Sequence, residues 1–248
     1  MENWNYLLSK GLKKFVTVLD YPKVLGTIYN NLNREHIKDL LFIKMKLGFI
    51  PQTIVDVGAA IGEYSKAARY VFPEASIYAF EPIPSSFHIL KKMSKSDKKL
   101  TVFNCALSDE NKYVSFYLNE FSFSSSLLKM TNKHKQLFPQ TNQESIIEVK
   151  EERMDSIKEV VVKKPAVLKI DVQGTELKVL NGSGILLSSF DIVQLEVNFE
   201  SLYEEQARYS EIFSLMFHQG FQSFIQTDIE FANKANKFPT FCDVIFLR

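Results

Sequence analysis

Hydrophobic residues along the chain change their spacing at Pro51. Before that point they recur every three or four positions in two stripes, 6–19 and 32–47, which predicts two amphipathic helices. We therefore expect residues 1–51 to form an N-terminal helical extension and residues 52–248 to form the main domain.

The first of these stripes has two interpretations. It can pack on the main domain or on a second copy of the chain, which would make a homodimer. It can also lie on an anionic membrane surface, because Trp4, Lys10, Lys13 and Lys14 accompany its apolar face. That face is no richer than an ordinary core-facing stripe, so we favour packing and keep peripheral membrane contact as the alternative.

After Pro51, short β-branched or aromatic runs alternate with helical patterns. The predicted strands are Thr53–Val57, Ser76–Phe80, Leu100–Asn104, Val167–Asp171, Ile192–Val197, Phe221–Ile225 and Phe241–Leu247. The predicted helices are Ile61–Phe72, Ser85–Met93, one that begins near Thr175, and Glu204–Gln219. Such alternation predicts an α/β fold with a mostly parallel central sheet flanked by helices. The final strand can run antiparallel, and periodicity does not decide between the centre and the edge of the sheet.

Residues 109–153 interrupt this rhythm. They contain two alternating runs that predict strands, Tyr113–Leu118 and Ile146–Glu151, joined by a polar segment. A connection of this length inside a compact domain is usually functional. We predict a β-rich insertion that serves as a lid or substrate wall, and we expect its His134 to be a solvated loop residue.

Composition narrows the classes of function. The formal net charge is +1 and the lysines are scattered, so nothing favours a nucleic-acid partner. The two cysteines, Cys105 and Cys242, lie far apart in apolar runs, which gives neither a disulfide framework nor a metal-binding spacing. No run approaches the roughly eighteen apolar residues of a membrane span, and no signal-peptide pattern opens the chain. Together these features predict a cytoplasmic location.

A glycine turn follows the first predicted strand, in the segment Val55–Gly62 with sequence VDVGAAIG. Gly58 permits a close backbone approach, and Gly62 lets the next helix begin near the strand. The start of that helix offers N–H groups to a ligand above the sheet. The spacing is Gly-x-x-x-Gly rather than the Gly-x-Gly-x-x-Gly of dinucleotide binders, so the turn alone predicts only a cofactor or anion site.

Two carboxylates near the turn narrow the choice of cofactor. The second predicted strand is followed by Glu81 and Pro82, which places Glu81 beside the glycine turn in a parallel sheet. A carboxylate there can accept hydrogen bonds from both hydroxyls of an adenosine ribose, a contact that suits NAD and S-adenosylmethionine alike. S-adenosylmethionine has no pyrophosphate to cradle, and its ammonium and sulfonium groups favour a nearby acid such as Asp56. The pair of Asp56 and Glu81 therefore favours S-adenosylmethionine.

The loop after the third predicted strand supplies further candidates. In this architecture it lies over the adenine, where Ala106 and Leu107 could give apolar contact and Asn104 polar contact. An ordinary turn at the end of a strand explains the same residues equally well.

The fourth strand leads into the segment Leu168–Glu176, with sequence LKIDVQGTE. Asp171 falls at the carboxyl edge of the sheet, where open α/β sheets bind ligands. It could contact the methionine end of the cofactor, act as general base for a substrate hydroxyl, or bind a metal. Glu196, at the end of the fifth strand, reaches the same rim and is the second candidate catalytic residue. Together with Asn198 these acids could hold Mg²⁺, although we favour a site without metal.

These segments resemble the FkbM family of methyltransferases. The matching segments are Val55–Ser65, Phe80–Pro82, Asn104–Asp109, Ser124–Leu127, Arg153–Asp155 and Leu168–Glu176. The resemblance implies a class I Rossmann-like methyltransferase fold and methyl transfer from S-adenosylmethionine, usually to a hydroxyl. It also implies acceptors such as sugars of surface glycans, glycolipids or natural-product scaffolds.

The family motifs extend the set of candidate cofactor residues. The full predicted set is Asp56, Gly58, Ala59, Ile61, Gly62, Tyr64, Ser65, Glu81, Pro82, Asn104, Ala106, Leu107 and Asp171. Two residues depart from the family pattern: Ala60 stands where Asn is usual, and Gln173 stands where Glu is frequent. The second departure removes a charge beside Asp171 and weakens the case for a metal or an acid pair there.

The function we expect is therefore O-methylation of a small-molecule or glycan acceptor. The first alternative is an NAD(P)-linked oxidoreductase, which the missing Gly-x-Gly-x-x-Gly motif and the lack of a Tyr-x-x-x-Lys pair in the later helices disfavour. The second is a non-catalytic binding protein that keeps the Rossmann-like shell. Intact Asp56, Glu81 and Asp171 count against it.

Overall fold

A computed structural model describes residues 32–119, 125–141, 144–231 and 239–248. The first predicted helix, through residues 6–19, and the membrane contact considered for it lie outside the described residues. The chain divides into two compact units, which are residues Met1–Ile50 with Glu63–Glu74 and residues Pro51–Gly62 with Ala75–Arg248.

The smaller unit contains two described helices, α1 (Arg34–Met45) and α2 (Glu63–Val71). Asn33, which caps α1, donates its amide to Glu63 Oε2 at 3.2 Å. Lys44 Nζ donates to the carbonyl oxygen of the last residue of α2 at 2.7 Å. Both helices confirm helical patterns in the sequence, and these two contacts join them at both ends.

The described residues contain ten strands in two sheets. They are β1 (Thr53–Val57), β2 (Ser76–Phe80), β3 (Leu100–Phe103), β4 (Ala106–Leu107), β5 (Lys112–Asn119), β6 (Glu144–Glu152), β7 (Ala166–Ile170), β8 (Ile192–Asn198), β9 (Ser223–Glu230) and β10 (Phe241–Leu247). Every strand predicted from the sequence is among them, although β9 begins and ends later than predicted.

The larger sheet has the strand order β3-β2-β1-β7-β8-β10-β9. Its first five strands are parallel, and β10 is antiparallel to both of its neighbours. This is a doubly wound arrangement, in which the strand order reverses between β1 and β7. The final strand, which periodicity left unplaced, lies inside the sheet between β8 and β9.

Four further helices are described: α3 (Pro84–Ser96), α4 (Asn132–Leu137), α5 (Glu176–Ser183) and α6 (Tyr209–His218). The prediction of a helix over Glu204–Gln219 is wrong in its first turn. Glu205 has φ +58°, and the side chain of Gln206 accepts from two backbone N–H groups of its own loop, so the chain turns before the helix begins. Glu211 then caps α6 by accepting from the N–H of Arg208. In the part of the chain that is described, no helix is long and apolar enough to cross a membrane.

One face of the larger sheet is packed against α5 and α6. The strands contribute Val57, Leu168 and Leu195, and the helices contribute Val179 and Met216, each at most 1% exposed. Successive side chains of a strand point to opposite faces. The residues that alternate with these apolar ones therefore lie on the other face of the sheet, and they include the charged residues of the candidate site.

The predicted β-rich insertion contributes β5 and β6 to a second sheet, in which β4 pairs with β6 in the order β4-β6-β5. Strands β5 and β6 are antiparallel and pair along eight residues each. Ser126, beyond β5, forms a bridge with Tyr117 and donates its hydroxyl to the carbonyl of Gln173 at 2.6 Å. The insertion is thus attached to the segment after β7, while its role as a lid stays a prediction.

Arg248, directly after β10, fastens that strand to the surrounding loops. Its guanidinium donates to the carbonyl oxygens of Leu187, Phe190 and Gln219 at 3.1, 2.9 and 2.6 Å. The same group lies 4.3 Å from the ring centroid of Phe221. A planar cation with several donors suits this position, because it satisfies carbonyls from separate loops at once.

The first prediction concerns this contact. Replacing Arg248 with Met keeps an apolar stem but leaves the carbonyls without a charged donor, so we expect the free energy of unfolding to fall by about 2–4 kcal/mol. Urea denaturation measures it. As a control, Lys98→Met in the exposed turn after α3 should change stability by no more than about 0.5 kcal/mol. Equal stability of Arg248→Met and wild type would show that the guanidinium contacts contribute nothing.

Candidate functional site

The reversal of strand order between β1 and β7 creates a crevice at their carboxyl ends, where open α/β sheets bind ligands. The last residues of the two strands, Val57 and Ile170, are partners in the parallel register. The N–H of Asp171 donates to the carbonyl of Val57 at 3.0 Å. The two segments that the sequence singles out, the glycine turn and the Asp171 segment, therefore begin side by side.

Gly58 is the point of closest approach between these segments. Its φ is +76°, and a Cβ there would lie 1.9 Å from the carbonyl oxygen of Asp171. Gly62 has φ +82°, and a Cβ there would lie 2.8 Å from the side chain of Leu90. Both positions need glycine for conformation and for space. The turn is a cradle that side chains at these positions would fill.

Glu81 directly follows β2 and is only 3% exposed. Its Oε2 accepts from the N–H of Ala60 at 2.8 Å, and its Oε1 accepts from the N–H of Ile83 at 2.7 Å. Burial raises the pKa of Glu81 to about 7, although these two hydrogen bonds act in the opposite direction. Each oxygen has a second lone pair, and a ligand hydroxyl donating to it would favour the ionised carboxylate.

Asn104 binds the backbone of the segment that carries Glu81. Its amide donates to the carbonyls of Glu81 and Pro82 at 2.9 and 3.0 Å. Ala106 is 7% exposed and Leu107 only 1%, and Leu107 belongs to the core of the larger sheet. In the structure, Asn104 therefore orients the carboxylate-bearing segment, and the two apolar residues lie inside the protein.

The other predicted cofactor residues follow the glycine turn along the chain. The N–H of Ala59 donates to the carbonyl of the last residue of β2 at 2.9 Å, and Ile61 is half-buried. Tyr64 and Ser65 belong to α2 and are each 2% exposed. Ala59 thus joins the turn to β2, whereas Tyr64 and Ser65 are interior residues of the smaller unit.

Lys169, which the sequence analysis does not single out, lies between two predicted site residues. It is the register partner of Asp56, and its Nζ lies 3.6 Å from Asp56 Oδ1 and 3.3 Å from Asp171 Oδ2. The exposed fraction of the side chain is 0% for Asp56, 9% for Lys169 and 42% for Asp171. Burial opposes the charge of the lysine, but Asp171 and Asp56 outweigh it and raise the pKa of Lys169. A row of charges thus runs from the interior to Asp171 at the rim.

Gln173 links Asp171 to Tyr203. Its Nε2 donates to Asp171 Oδ1 at 3.1 Å, and its Oε1 accepts from the Tyr203 hydroxyl at 3.0 Å. Burial raises the pKa of Tyr203 well above its ordinary value, so the hydroxyl remains a donor. With Lys169 on the other oxygen, each oxygen of the Asp171 carboxylate has a donor that fixes its orientation.

Two further acids stand near Asp171. Glu176 is 2% exposed and accepts from the N–H of Gly174 at 2.9 Å, and burial raises its pKa to about 7. Burial also raises the pKa of Glu196, and the charges of Asp171 and Glu176 raise it further. Asn198 donates to Glu196 Oε1 at 3.4 Å, a long hydrogen bond. The structure therefore couples the two candidate catalytic residues, Asp171 and Glu196, through their charges.

The candidate metal ligands fit Mg²⁺ only in part. Asn198 Oδ1 is buried without a hydrogen-bond partner among the described residues, as an oxygen meant for a ligand would be. Asp171, by contrast, already accepts from the Lys169 ammonium and the Gln173 amide. The lysine supplies the positive charge that a cation would otherwise bring to this carboxylate. The function proposed below therefore involves no metal.

The expectation that His134 is a solvated loop residue is wrong. It is 3% exposed in α4, and within the described chain neither ring nitrogen has a hydrogen-bond partner. Its ring lies 5.1 Å from that of Tyr203 and 5.2 Å from that of Phe138, and burial lowers its pKa. The cause is long-range, because the N–H of Thr131 donates to the carbonyl of Leu202 at 3.0 Å and brings this segment onto the loop after β8.

Comparison with known proteins identifies the family. Residues 56–223 match the Methyltransferase FkbM domain. The chain belongs to the FkbM family of methyltransferases. This confirms the resemblance drawn from the sequence motifs, and with it the class I Rossmann-like methyltransferase fold with a mostly parallel central sheet.

The individual proteins and structures that this chain resembles share limited sequence identity with it. The hexuronic acid methyltransferase AglP of Haloferax volcanii is 30% identical over 145 residues, which are 58% of this chain and 54% of AglP. The chain thus spans about half the length of this curated relative. The crystal structure of Methyltransferase FkbM from Methylobacillus flagellatus KT has a TM-score of 0.49 and 13% identity, covering 92% of this chain and 59% of that one. The plantazolicin methyltransferase BpumL, in complex with SAH, has a TM-score of 0.44 and 8% identity, covering 86% and 82%.

Both departures from the FkbM pattern have positive φ angles, +48° at Ala60 and +57° at Gln173. Asparagine tolerates this left-handed region better than most non-glycine residues, so the backbone conformation at Ala60 is one that the expected asparagine would adopt more readily. At Gln173, the amide donates a hydrogen bond to Asp171 where a glutamate would place a second negative charge. This departure therefore stabilises the ionised carboxylate of Asp171.

Lys169 and Tyr203 are the site residues that sequence reasoning missed. In the observed strands, Lys169 is the fourth of five residues, as Asp56 is, and parallel pairing without a shift places the two side by side. The predicted strand Val167–Asp171 begins one residue later and would have placed Asp56 beside Ile170. Tyr203 lies thirty residues from its partner Gln173, in a loop without periodicity. Only the fold brings these two together.

The second prediction is that the stability of the ligand-free protein depends on pH through its buried acids. Glu81 and Glu176 have pKa values of about 7 in the folded protein against an ordinary 4.5, so the folded state binds protons more tightly than the unfolded state. Their protonation therefore contributes to the free energy of unfolding. This contribution is fully present at low pH and is lost as the pH rises through 7. Glu176→Gln removes one buried charge, so at pH 8 we expect it to exceed wild type in unfolding free energy by about 1–2 kcal/mol.

Urea denaturation at pH 6 and pH 8 measures this difference. The variant should lose less stability than wild type between the two pH values. The exposed Glu159 gives a matched control, since Glu159→Gln should follow the wild-type dependence. A Glu176→Gln protein that loses as much stability as wild type would contradict the assignment of the effect to this carboxyl.

Proposed function

We propose that this chain is an O-methyltransferase that moves the methyl group of S-adenosylmethionine to a hydroxyl of a sugar-containing acceptor. The observation that carries the proposal is the Glu81 carboxylate, buried beside the glycine turn with one backbone N–H on each oxygen. Membership of the FkbM family supports methyl transfer as the reaction.

The residues of the crevice match the parts of this methyl donor. Glu81 would accept from the two ribose hydroxyls, as a carboxylate with spare lone pairs can. Asp56 and Asp171 would attract the cationic methionine end. Gly58 and Gly62 leave the space that side chains would fill. When bound, the donor supplies a methyl group already activated on sulfur, so the protein has to supply alignment and proton removal.

Asp171 is the proposed base for the acceptor hydroxyl. Its side chain is 42% exposed at the rim, and hydrogen bonds from Lys169 and Gln173 orient it. Glu196 is the proposed second proton acceptor. Burial and the neighbouring Asp171 and Glu176 raise its pKa, and a carboxylate of higher pKa takes a hydroxyl proton more readily.

The name of the relative AglP, a hexuronic acid methyltransferase, supports a sugar acceptor. A hexuronic acid offers both hydroxyls and a carboxylate to a methyl donor. The Asp171 carboxylate, which accepts hydrogen bonds from Lys169 and Gln173, would repel a carboxylate brought beside the donor. We therefore propose that the attacking oxygen is a neutral hydroxyl, and that the partner is a glycan or small molecule rather than a nucleic acid, in keeping with the net charge of +1.

The third prediction concerns the donor. In calorimetry, the wild type should bind S-adenosylmethionine and S-adenosylhomocysteine but not NAD. Glu81→Ala should weaken binding of both by about 1–3 kcal/mol, the cost of losing charge-assisted hydrogen bonds. The exposed Glu159→Ala variant should bind as wild type does, and thermal unfolding of Glu81→Ala would verify that it is folded. Binding of NAD without either sulfur compound would overturn the proposal.

The fourth prediction concerns the acceptor atom. With donor labelled in its methyl group, we expect transfer to glycosides of hexuronic acids or neutral hexoses as a methyl ether, which mild alkali does not cleave. A methyl ester on the uronic carboxylate would instead release labelled methanol. Release of the label would refute the hydroxyl as acceptor while preserving methyl transfer. Failure to label any sugar in such a panel would refute the sugar class.

A further inference from the structure

Asp56, Lys169 and Asp171 form a cluster of three charged groups, called the charge cluster below. Lys169 Nζ lies 3.6 Å from Asp56 Oδ1 and 3.3 Å from Asp171 Oδ2. Parallel pairing of β1 with β7 sets Asp56 beside Lys169, and Asp171 follows Lys169 by two residues, towards the carboxyl edge. These three groups together carry one negative charge.

The proposed donor and its product differ at the sulfur. S-adenosylmethionine has a methyl group and a positive charge there, and S-adenosylhomocysteine has a neutral thioether, while the ribose, adenine, ammonium and carboxylate are common to both. Because the methyl group is the same in every comparison, a change in the ratio of the two affinities between charge variants reports the charge that the protein presents to the sulfur. A substitution that weakens contacts with the parts common to both ligands lowers both affinities by the same factor and leaves this ratio unchanged.

We propose that Lys169 is a positioning residue that acts through Asp56 and Asp171 and limits how strongly they favour the cationic donor over the neutral product. This inference rests on the proposed function. The Lys169 ammonium neutralises one of the two carboxylate charges that would otherwise attract the donor. Its contact with Asp171 also fixes the orientation of that carboxylate, which faces the crevice.

The charge of this cluster also affects the rate of methyl transfer. As methyl transfer proceeds, the positive charge on sulfur is lost. Carboxylates that hold the sulfonium tightly stabilise the starting complex more than the transition state and slow the reaction. A buried lysine between them keeps the attraction sufficient for binding without making it excessive. Coulomb attraction in a partly buried site is strong enough for one unit of charge to change the affinity ratio by about tenfold.

A purely structural role for Lys169 is the competing explanation. Asp56 is fully buried, and removing its lysine would leave an uncompensated charge that destabilises the fold. The charge of the cluster can, however, be varied independently of this pairing. Lys169→Met makes the cluster more negative by one unit, Asp56→Asn makes it neutral, and the double variant restores the wild-type charge without the buried pair.

The fifth prediction uses this series at pH 8 with both ligands in calorimetry. Relative to wild type, the preference for S-adenosylmethionine over S-adenosylhomocysteine should rise about tenfold in Lys169→Met and fall about tenfold in Asp56→Asn. The double variant should return to within about threefold of wild type, as should Lys169→Arg, which keeps the charge. If Lys169→Met does not fold, the comparison of Asp56→Asn with the double variant still tests the same single charge.

Lys164 offers a matched control, because it pairs with Asp191 at 3.3 Å next to the beginning of β7 rather than at its carboxyl end. Lys164→Met should leave the affinity ratio unchanged. An affinity ratio that stays constant across the folded variants of the series, with both ligands still bound, would overturn this inference and leave the proposed function intact. Failure of the wild type to bind either ligand would instead overturn the proposed function.

Discussion

At Gly58 the backbone of β1 passes so near the carbonyl oxygen of Asp171 that a Cβ would lie 1.9 Å from it. This approach fixes the distance between the glycine turn and the segment after β7, and the hydrogen bond from Asp171 N–H to Val57 fixes their register. Asp56 and Lys169, two residues before these points, must then face each other across the two strands. Backbone packing thus sets the positions from which the charged side chains of the site extend.

The consequence of this placement is a site with more carboxylates than cations to balance them. Lys169 compensates Asp56 and Asp171. Nearby, Glu81 and Glu176 are buried and Glu196 is half-buried, and desolvation raises the pKa values of all three. Burying acids without counterions costs stability, and such sites usually exist for a ligand. A ligand that brings hydroxyls and positive charge, as S-adenosylmethionine does, would stabilise the ionised forms and recover part of that cost.

The extent to which the sequence predicts this site follows from the range of the interactions. The strands, the glycine turn, Glu81 and Asp171 could be predicted because each depends on local periodicity and on the rule that parallel strands end at one edge. Lys169 required the register of β1 with β7, which the predicted bounds of the two strands miss by one residue. The burial of His134 and the contact of Tyr203 with Gln173 depend on a loop that joins distant parts of the chain, and no local pattern carries that information. The first turn predicted for α6 failed for a local reason, the positive φ of Glu205.

Gln173 combines a strained backbone conformation with contacts to three separate parts of the chain. Its positive φ is an unfavourable conformation for a residue with a side chain, yet its backbone carbonyl and both polar atoms of its side chain form hydrogen bonds. The carbonyl accepts from Ser126 of the insertion, the amide nitrogen donates to Asp171, and the amide oxygen accepts from Tyr203. Because one residue holds all three, a displacement of the insertion would reach the Asp171 carboxylate through Gln173. A glutamine at this position allows the connection, since its amide donates to Asp171 and accepts from Tyr203 at once, whereas an ionised glutamate could only accept.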